Sequence, residues 1–135
     1  MSQVHYVIWK DEYSVGIAKL DARHRKILEI IDELYHAPRG MKEAATVWQS
    51  LMQLMDYTMT HLTEEEDMMK KCGYPDLASH KDVHNMMRRK IVELIEMYRK
   101  ISGDLSFEVL EFLKEWWIRH ITGTDRKYIP CLTGR

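Results

Sequence analysis

A chain of 135 residues is large enough for one domain with its own hydrophobic core, without staples to hold it. Its 45% hydrophobic and 30% charged residues are those of an ordinary globular protein, and a net charge of −1 argues against the basic field that binding to nucleic acid or anionic membranes requires. No apolar run is long enough to span a bilayer, and the first sixteen residues lack a signal-peptide pattern.

Residues 1–18 read as an N-terminal arm. Four segments of helical composition follow, at roughly 20–37, 41–71, 76–101 and 105–121, punctuated by Pro38 and Gly40, by Gly73 and Pro75, and by Gly103. Asp76 suits the N-cap of the third helix, and Asp104 or Ser106 that of the fourth. Residues 122–135 form a tail that must lie against the helices or fray. Strand-like alternation is absent, so the class is all-α. Connections of about four residues force neighbouring helices antiparallel. The expected architecture is an up-down-up-down four-helix bundle, a single domain over residues 1–135. Two isolated cysteines, Cys72 and Cys131, make no CxxC motif and are expected as free thiols of a cytoplasmic protein.

Each helix carries one apolar stripe at three-and-four spacing. The first runs through His24, Ile27, Leu28, Ile31 and Leu34, and the second through Val47, Leu51, Leu54, Thr58, His61, Glu65 and Met68. The third runs through Leu77, His80, His84, Met87, Ile91 and Leu94, and the fourth through Val109, Leu113, Trp116 and His120. Five of the seven histidines thus stand where the pattern asks for leucine. A lone histidine on an apolar face is usually an ordinary core residue. Here that explanation must hold on four helices at once, with a glutamate added. Several unpaired buried polar groups at about 1–3 kcal/mol each would consume most of a stability of about 5–15 kcal/mol. A shared metal partner resolves the conflict.

His80 and His84, four apart, project from one helix face and can grip one ion; His61 and Glu65 share that spacing. Glu64, three from His61, also faces roughly inward, whereas Glu66 is expected to point to solvent. Asp125 lies five beyond His120, off the stripe of an unbroken helix, and returns to it if Gly123 ends or unwinds the helix. Five imidazoles, two bridging carboxylates and a solvent-derived bridge nearly complete two octahedral ions and leave one position open. Mixed nitrogen and oxygen ligands with an open position suit iron. Zinc rarely needs seven ligands, and the zinc-protease pattern is missing because Lys81 follows His80.

Leu20-Asp21 before His24, His61-Leu62-Thr63-Glu64-Glu65, His80-x-x-x-His84 and His120-Ile121-x-x-x-Asp125 together resemble the hemerythrins, most of all their bacterial branch. Trp9 with Tyr13 to Ile17 resembles that family's N-terminal arm, and Tyr128-x-Pro130-Cys131-Leu132 its C-terminal end. The resemblance implies a reversible dioxygen carrier rather than an enzyme, with two bridged iron ions. One iron would take His80, His84 and His120; the other would take His24 and His61 and keep the open position. Glu65, rather than Glu64, and Asp125 would bridge. An apolar oxygen pocket is expected from Ile27, Leu62, Trp116, Trp117 and Ile121. Leu62 stands where the family usually has phenylalanine, and Arg23 where it has glutamine. A monomer is expected, with an oxidase as a possible recipient of the oxygen. The alternatives are an oxygen- or redox-sensing module, or a di-iron enzyme such as a peroxidase or nitric oxide reductase. His5 and His36, off the stripes, are expected to be exposed.

Overall fold

The computed structural model describes residues 5–37, 44–101 and 107–134. Four long helices follow in order, α1 (Ala18–His36), α2 (Ala44–Cys72), α3 (Leu77–Ile101) and α4 (Phe107–Arg119), and no strand occurs among the described residues. α1 packs against α2 and α4, and α2 against α3, three of the neighbour pairings of an up-down-up-down bundle. The stripes face inward: Leu20, Ile27, Ile31, Leu51, Leu54, Met87, Ile91, Leu110, Leu113 and Trp117 are all buried. Each such leucine or isoleucine contributes roughly 1.5–3 kcal/mol by leaving water. On α2 the stripe drifts by one residue near its end, so that Met69 is fully buried and Met68 only partly.

Gly73 stops α2. Its φ of +74° is left-handed, which glycine adopts without a Cβ penalty. There the Tyr74 N–H reaches the Met69 carbonyl at 2.9 Å and the Gly73 N–H reaches that of Lys70 at 3.1 Å. α3 then begins within four residues, and the Asp76 carbonyl accepts the His80 N–H at 3.0 Å. The proposed capping residues Asp104 and Ser106, with Pro38, Gly40 and Gly103, lie outside the described residues.

Beyond α4 the chain does not become a loose tail. The helix widens into a π-helical turn (His120–Thr124), narrows into a 3-10 turn (Asp125–Tyr128) and ends as a short helix α5 (Ile129–Thr133) packed against α2. The expectation of free thiols is overturned here: Cys72 and Cys131 form a disulfide, their Cα atoms 5.8 Å apart. The turn at Gly73 ends α2 at Cys72, and the return of the chain sets α5 against that end. Fifty-nine residues of separation hide this from any reading of local spacing.

The N-terminal arm is held by two carboxylates of α1. Asp32 Oδ1 accepts the backbone N–H groups of Tyr6 at 2.6 Å and Val7 at 3.0 Å, and His5 Nδ1 lies 3.3 Å from Oδ2. Asp21 accepts the Ser14 hydroxyl at 2.5 Å and the Val15 N–H at 2.9 Å. Tyr6 stacks on Tyr35 with centroids 4.2 Å apart, and its hydroxyl bonds Glu111 of α4. His5 is exposed as expected, but His36 is half-buried, its Nε2 3.7 Å from Asp32.

Burial pushes the Asp32 carboxyl up, yet the hydrogen bonds from Val7, His5 and Tyr6 outweigh it and hold the pKa below the ordinary value. A depressed folded pKa contributes stability that is full above the unfolded value, about 4, and lost as pH falls through the lower folded one. Asp32→Ala should therefore cost about 1–3 kcal/mol at neutral pH by leaving two backbone donors unpaired. The gap to the unaltered protein in urea unfolding should shrink below about pH 4. A gap independent of pH would contradict this role for the carboxylate.

Candidate metal centre

Among the described residues eight polar or charged ones are buried, and seven are the predicted ligands: His24, His61, Glu65, His80, His84, His120 and Asp125. The eighth is Thr58. α1 supplies His24, one turn before Ile27. α2 supplies His61 and Glu65, and α3 supplies His80 and His84, each pair four apart on the inward face. His120 opens the π-helical turn, and Asp125 closes it with its backbone N–H on the carbonyls of His120 and Gly123. That wider turn aligns residues five apart, so Asp125 returns to the stripe without a break at Gly123. The helix unwinds by expansion rather than ending.

The seven side chains fall into two overlapping groups whose ligand atoms lie within 4.8 Å of one another: Glu65, His80, His84, His120 and Asp125, and His24, His61, Glu65 and Asp125. Both carboxylates belong to both. Glu65 turns Oε2 toward His61 at 3.2 Å and His24 at 3.4 Å, and Oε1 toward His84 at 3.1 Å and His80 at 3.5 Å. Asp125 turns Oδ2 toward His24 at 3.3 Å, and Oδ1 toward His120 at 2.9 Å and His80 at 3.1 Å. Each carboxylate thus divides its oxygens between the groups, as a bridging ligand does.

The imidazoles aim inward through Nε2. His24 Nε2 lies 2.8 Å from His61 Nε2, and His84 Nε2 3.1 Å from His120 Nε2. Two adjacent ligands at right angles on an ion with bonds of about 2.1 Å are separated by about 3 Å. Glu65 Oε1, both oxygens of Asp125 and His80 Nε2 are buried without a hydrogen-bond partner. Orphaned acceptors packed around one point are costly unless a cation satisfies them. The donor set fits two ions of an oxygen- and nitrogen-binding metal.

Electrostatics agree. Burial pushes the carboxyls of Glu65 and Asp125 up, but the surrounding imidazoles outweigh it and hold both well below the carboxylate range. Burial favours neutral imidazole at His24 and His80, yet Asp125 and Glu65 raise both to about 9. At His61 burial wins and the pKa falls. Positive charge is wanted at this centre, and neighbouring histidines compete to carry it as protons.

Glu64 points elsewhere. Its carboxylate pairs with Arg23 at 3.1 Å, a role for the arginine that spacing did not suggest. Glu66 corrects the expectation of a solvated residue: it is largely buried, takes His84 Nδ1 at 2.7 Å and pairs with Arg88 at 2.8 Å. Tyr128, quoted only for its resemblance, is fully buried and donates its hydroxyl to Glu65 Oε2 at 2.8 Å. Burial and the two carboxylates push that phenol's pKa far up, so it stays a donor.

Of the expected pocket residues, Ile27, Leu62, Trp117 and Ile121 are fully buried, with the Trp117 ring 5.9 Å from that of His61. Trp116 differs from these four in its burial. It is half-buried in a surface cleft of about 260 Å³ with Phe112 and Arg119, and stacks on His120 at 4.5 Å and 12°. The interior is also less apolar than expected, since the Thr58 hydroxyl and the Trp117 indole N–H are buried without partners.

Residues 15–132 match the family model of the hemerythrin HHE cation-binding domain. The chain is 34% identical over 122 residues to a bacteriohemerythrin of Stenotrophomonas maltophilia, covering 90% of this chain and 78% of the relative. It is 32% identical over 120 residues to a myohemerythrin of Theromyzon tessulatum, covering 89% and 88%. A solved wild-type hemerythrin superposes with a TM-score of 0.86 at 26% identity, covering 95% of this chain and 98% of the other.

Proposed function

The chain belongs to the hemerythrin family, and on that premise we propose that it binds dioxygen reversibly at a non-haem di-iron centre, as a binding protein rather than an enzyme. The observation that carries this reading is the division of Glu65 and Asp125 between two histidine groups of unequal size, three and two. His80, His84 and His120 would hold one iron, and His24 and His61 the other. The unequal count leaves the second ion a position short, where a small ligand can enter. Iron supplies exchangeable electrons for holding that ligand reversibly.

The protein's own part is positional. Tyr128 anchors Glu65 through its hydroxyl, and the π-helical turn holds Asp125 in place. Ile27, Leu62, Trp117 and Ile121 would exclude bulk water from the His24 and His61 side. Trp116 covers His120 from outside and is not a pocket residue in this reading. We further propose a monomer spanning one domain, with an oxidase as recipient of the oxygen. No helix of the described residues is long and apolar enough to cross a membrane. The cytoplasm was expected because the cysteines were expected free. A cytoplasmic protein would hold this pair reduced, so its oxidation state in freshly broken cells tests that placement.

Ferrous-loaded protein exposed to air should take up one dioxygen for each pair of irons and release it under vacuum. Stopped-flow spectra with immediate conversion to a diferric form and no recoverable oxygen would move the assignment to an enzyme or sensor.

A further inference from the structure

Behind the centre, at the α2–α3 contact, lies a charged chain that leads from His84 to the surface. Glu66 follows Glu65 on α2 and points across to α3. Its Oε2 alone takes both His84 Nδ1 at 2.7 Å and Arg88 Nη1 at 2.8 Å. His84 and Arg88 stand four apart on α3, so one carboxylate reaches both. Arg88 is fixed in turn by Asn85 Oδ1 at 2.9 Å and Thr63 Oγ1 at 3.4 Å. The Glu66 side chain is only 11% exposed and that of Arg88 23%, so the chain is shielded more than a surface ion pair. The Glu66 carboxylate is thus held between a guanidinium and an imidazole.

Three of the other histidines lack such support. The outer nitrogens of His24, His61 and His120 are buried without a partner. The carboxylate therefore distinguishes His84 from these three, and with it one iron from the other.

We propose that Glu66 and Arg88 are positioning residues for His84, and that they set the reduction potential of the iron held by three histidines. A carboxylate can only accept, so the imidazole proton sits on Nδ1 and the Nε2 lone pair faces the metal. The negative charge behind the ring makes it a stronger donor and favours the more highly charged ferric ion. Arg88 limits this effect by neutralising part of the charge. The inference rests on the di-iron reading above.

The test compares Glu66→Gln, Glu66→Ala, Arg88→Met and, as a control on the other side of α2, Glu64→Gln. Each is loaded with iron, and two quantities are read: iron release to a ferrous chelator, and the midpoint of a redox titration without oxygen. Glutamine can still accept from Nδ1 but carries no charge. Glu66→Gln should keep its iron and shift the midpoint upward. Glu66→Ala should shift it likewise and weaken iron binding about 10- to 100-fold. Arg88→Met should shift the midpoint downward, and Glu64→Gln should match the unaltered protein. Glu66 variants that match it in both readouts would overturn the proposal and leave the di-iron centre standing. Weaker iron binding in both Glu66 variants with an unmoved midpoint would overturn the charge argument. An unaltered protein that binds no iron pair would sink the functional reading and this inference together.

Discussion

His61→Ala should emerge from ferrous loading with far less iron than His36→Ala, which should keep a full complement. His61 is one of only two histidines in the smaller group, and its Nε2 lies 3.2 Å from Glu65 and 2.8 Å from His24. Its loss takes away one nitrogen ligand and the neighbour of Glu65 on the same helix. Weakening by removal of a direct ligand should exceed the roughly 10- to 100-fold that loss of a supporting group costs. His36 is the matched control, a half-buried histidine at the end of α1 whose contact is with Asp32, one turn earlier on the same helix. Equal iron in the two variants, measured by metal analysis, would contradict the ligand set.

The second large effect concerns the Cys72–Cys131 bridge. It closes a loop of 59 residues, so reducing it or making Cys131→Ser should cost about 4 kcal/mol if the unfolded chain behaves as a free coil. Urea unfolding with and without a dithiol reductant reads this directly. The loss should extend to the metal. Cys131 lies three residues after Tyr128, and Cys72 seven after Glu65 on α2, so the bridge backs the Tyr128–Glu65 hydrogen bond. Reduced protein should therefore release iron faster to a chelator than oxidised protein. Unchanged unfolding on reduction would mean that the tail is held by its packing alone.

Much of the centre was legible before any fold was known, because a helix repeats every 3.6 residues. His61 and Glu65, or His80 and His84, can share a face by spacing alone. Five histidines and a glutamate set into four apolar stripes demand a common partner. Asp125 was legible only in part. Its distance from His120 called for a distorted helix, and Gly123 marked the place, but an expanded turn rather than a helix end makes the alignment. Glu66 left no mark in the periodicity of α2. It lies five from His61 and finds its partners on α3, where Arg88, one turn beyond His84, was the only faint sign. Trp116 fits the fourth stripe, yet is only half-buried, its ring stacked on His120 beside a surface cleft.

The order of residues, by itself, determined the four helices, their antiparallel course, and which histidines face inward, because these follow from rotation per residue and from short connections. Tertiary structure decided what crosses between elements: the Glu66 contact with His84, the Tyr128 hydroxyl on Glu65, and the bridge from α2 to α5. Each depends on the distance and rotation between helices packed side by side. Local spacing records the face a residue occupies on its own helix, and not what the neighbouring helix brings to meet it.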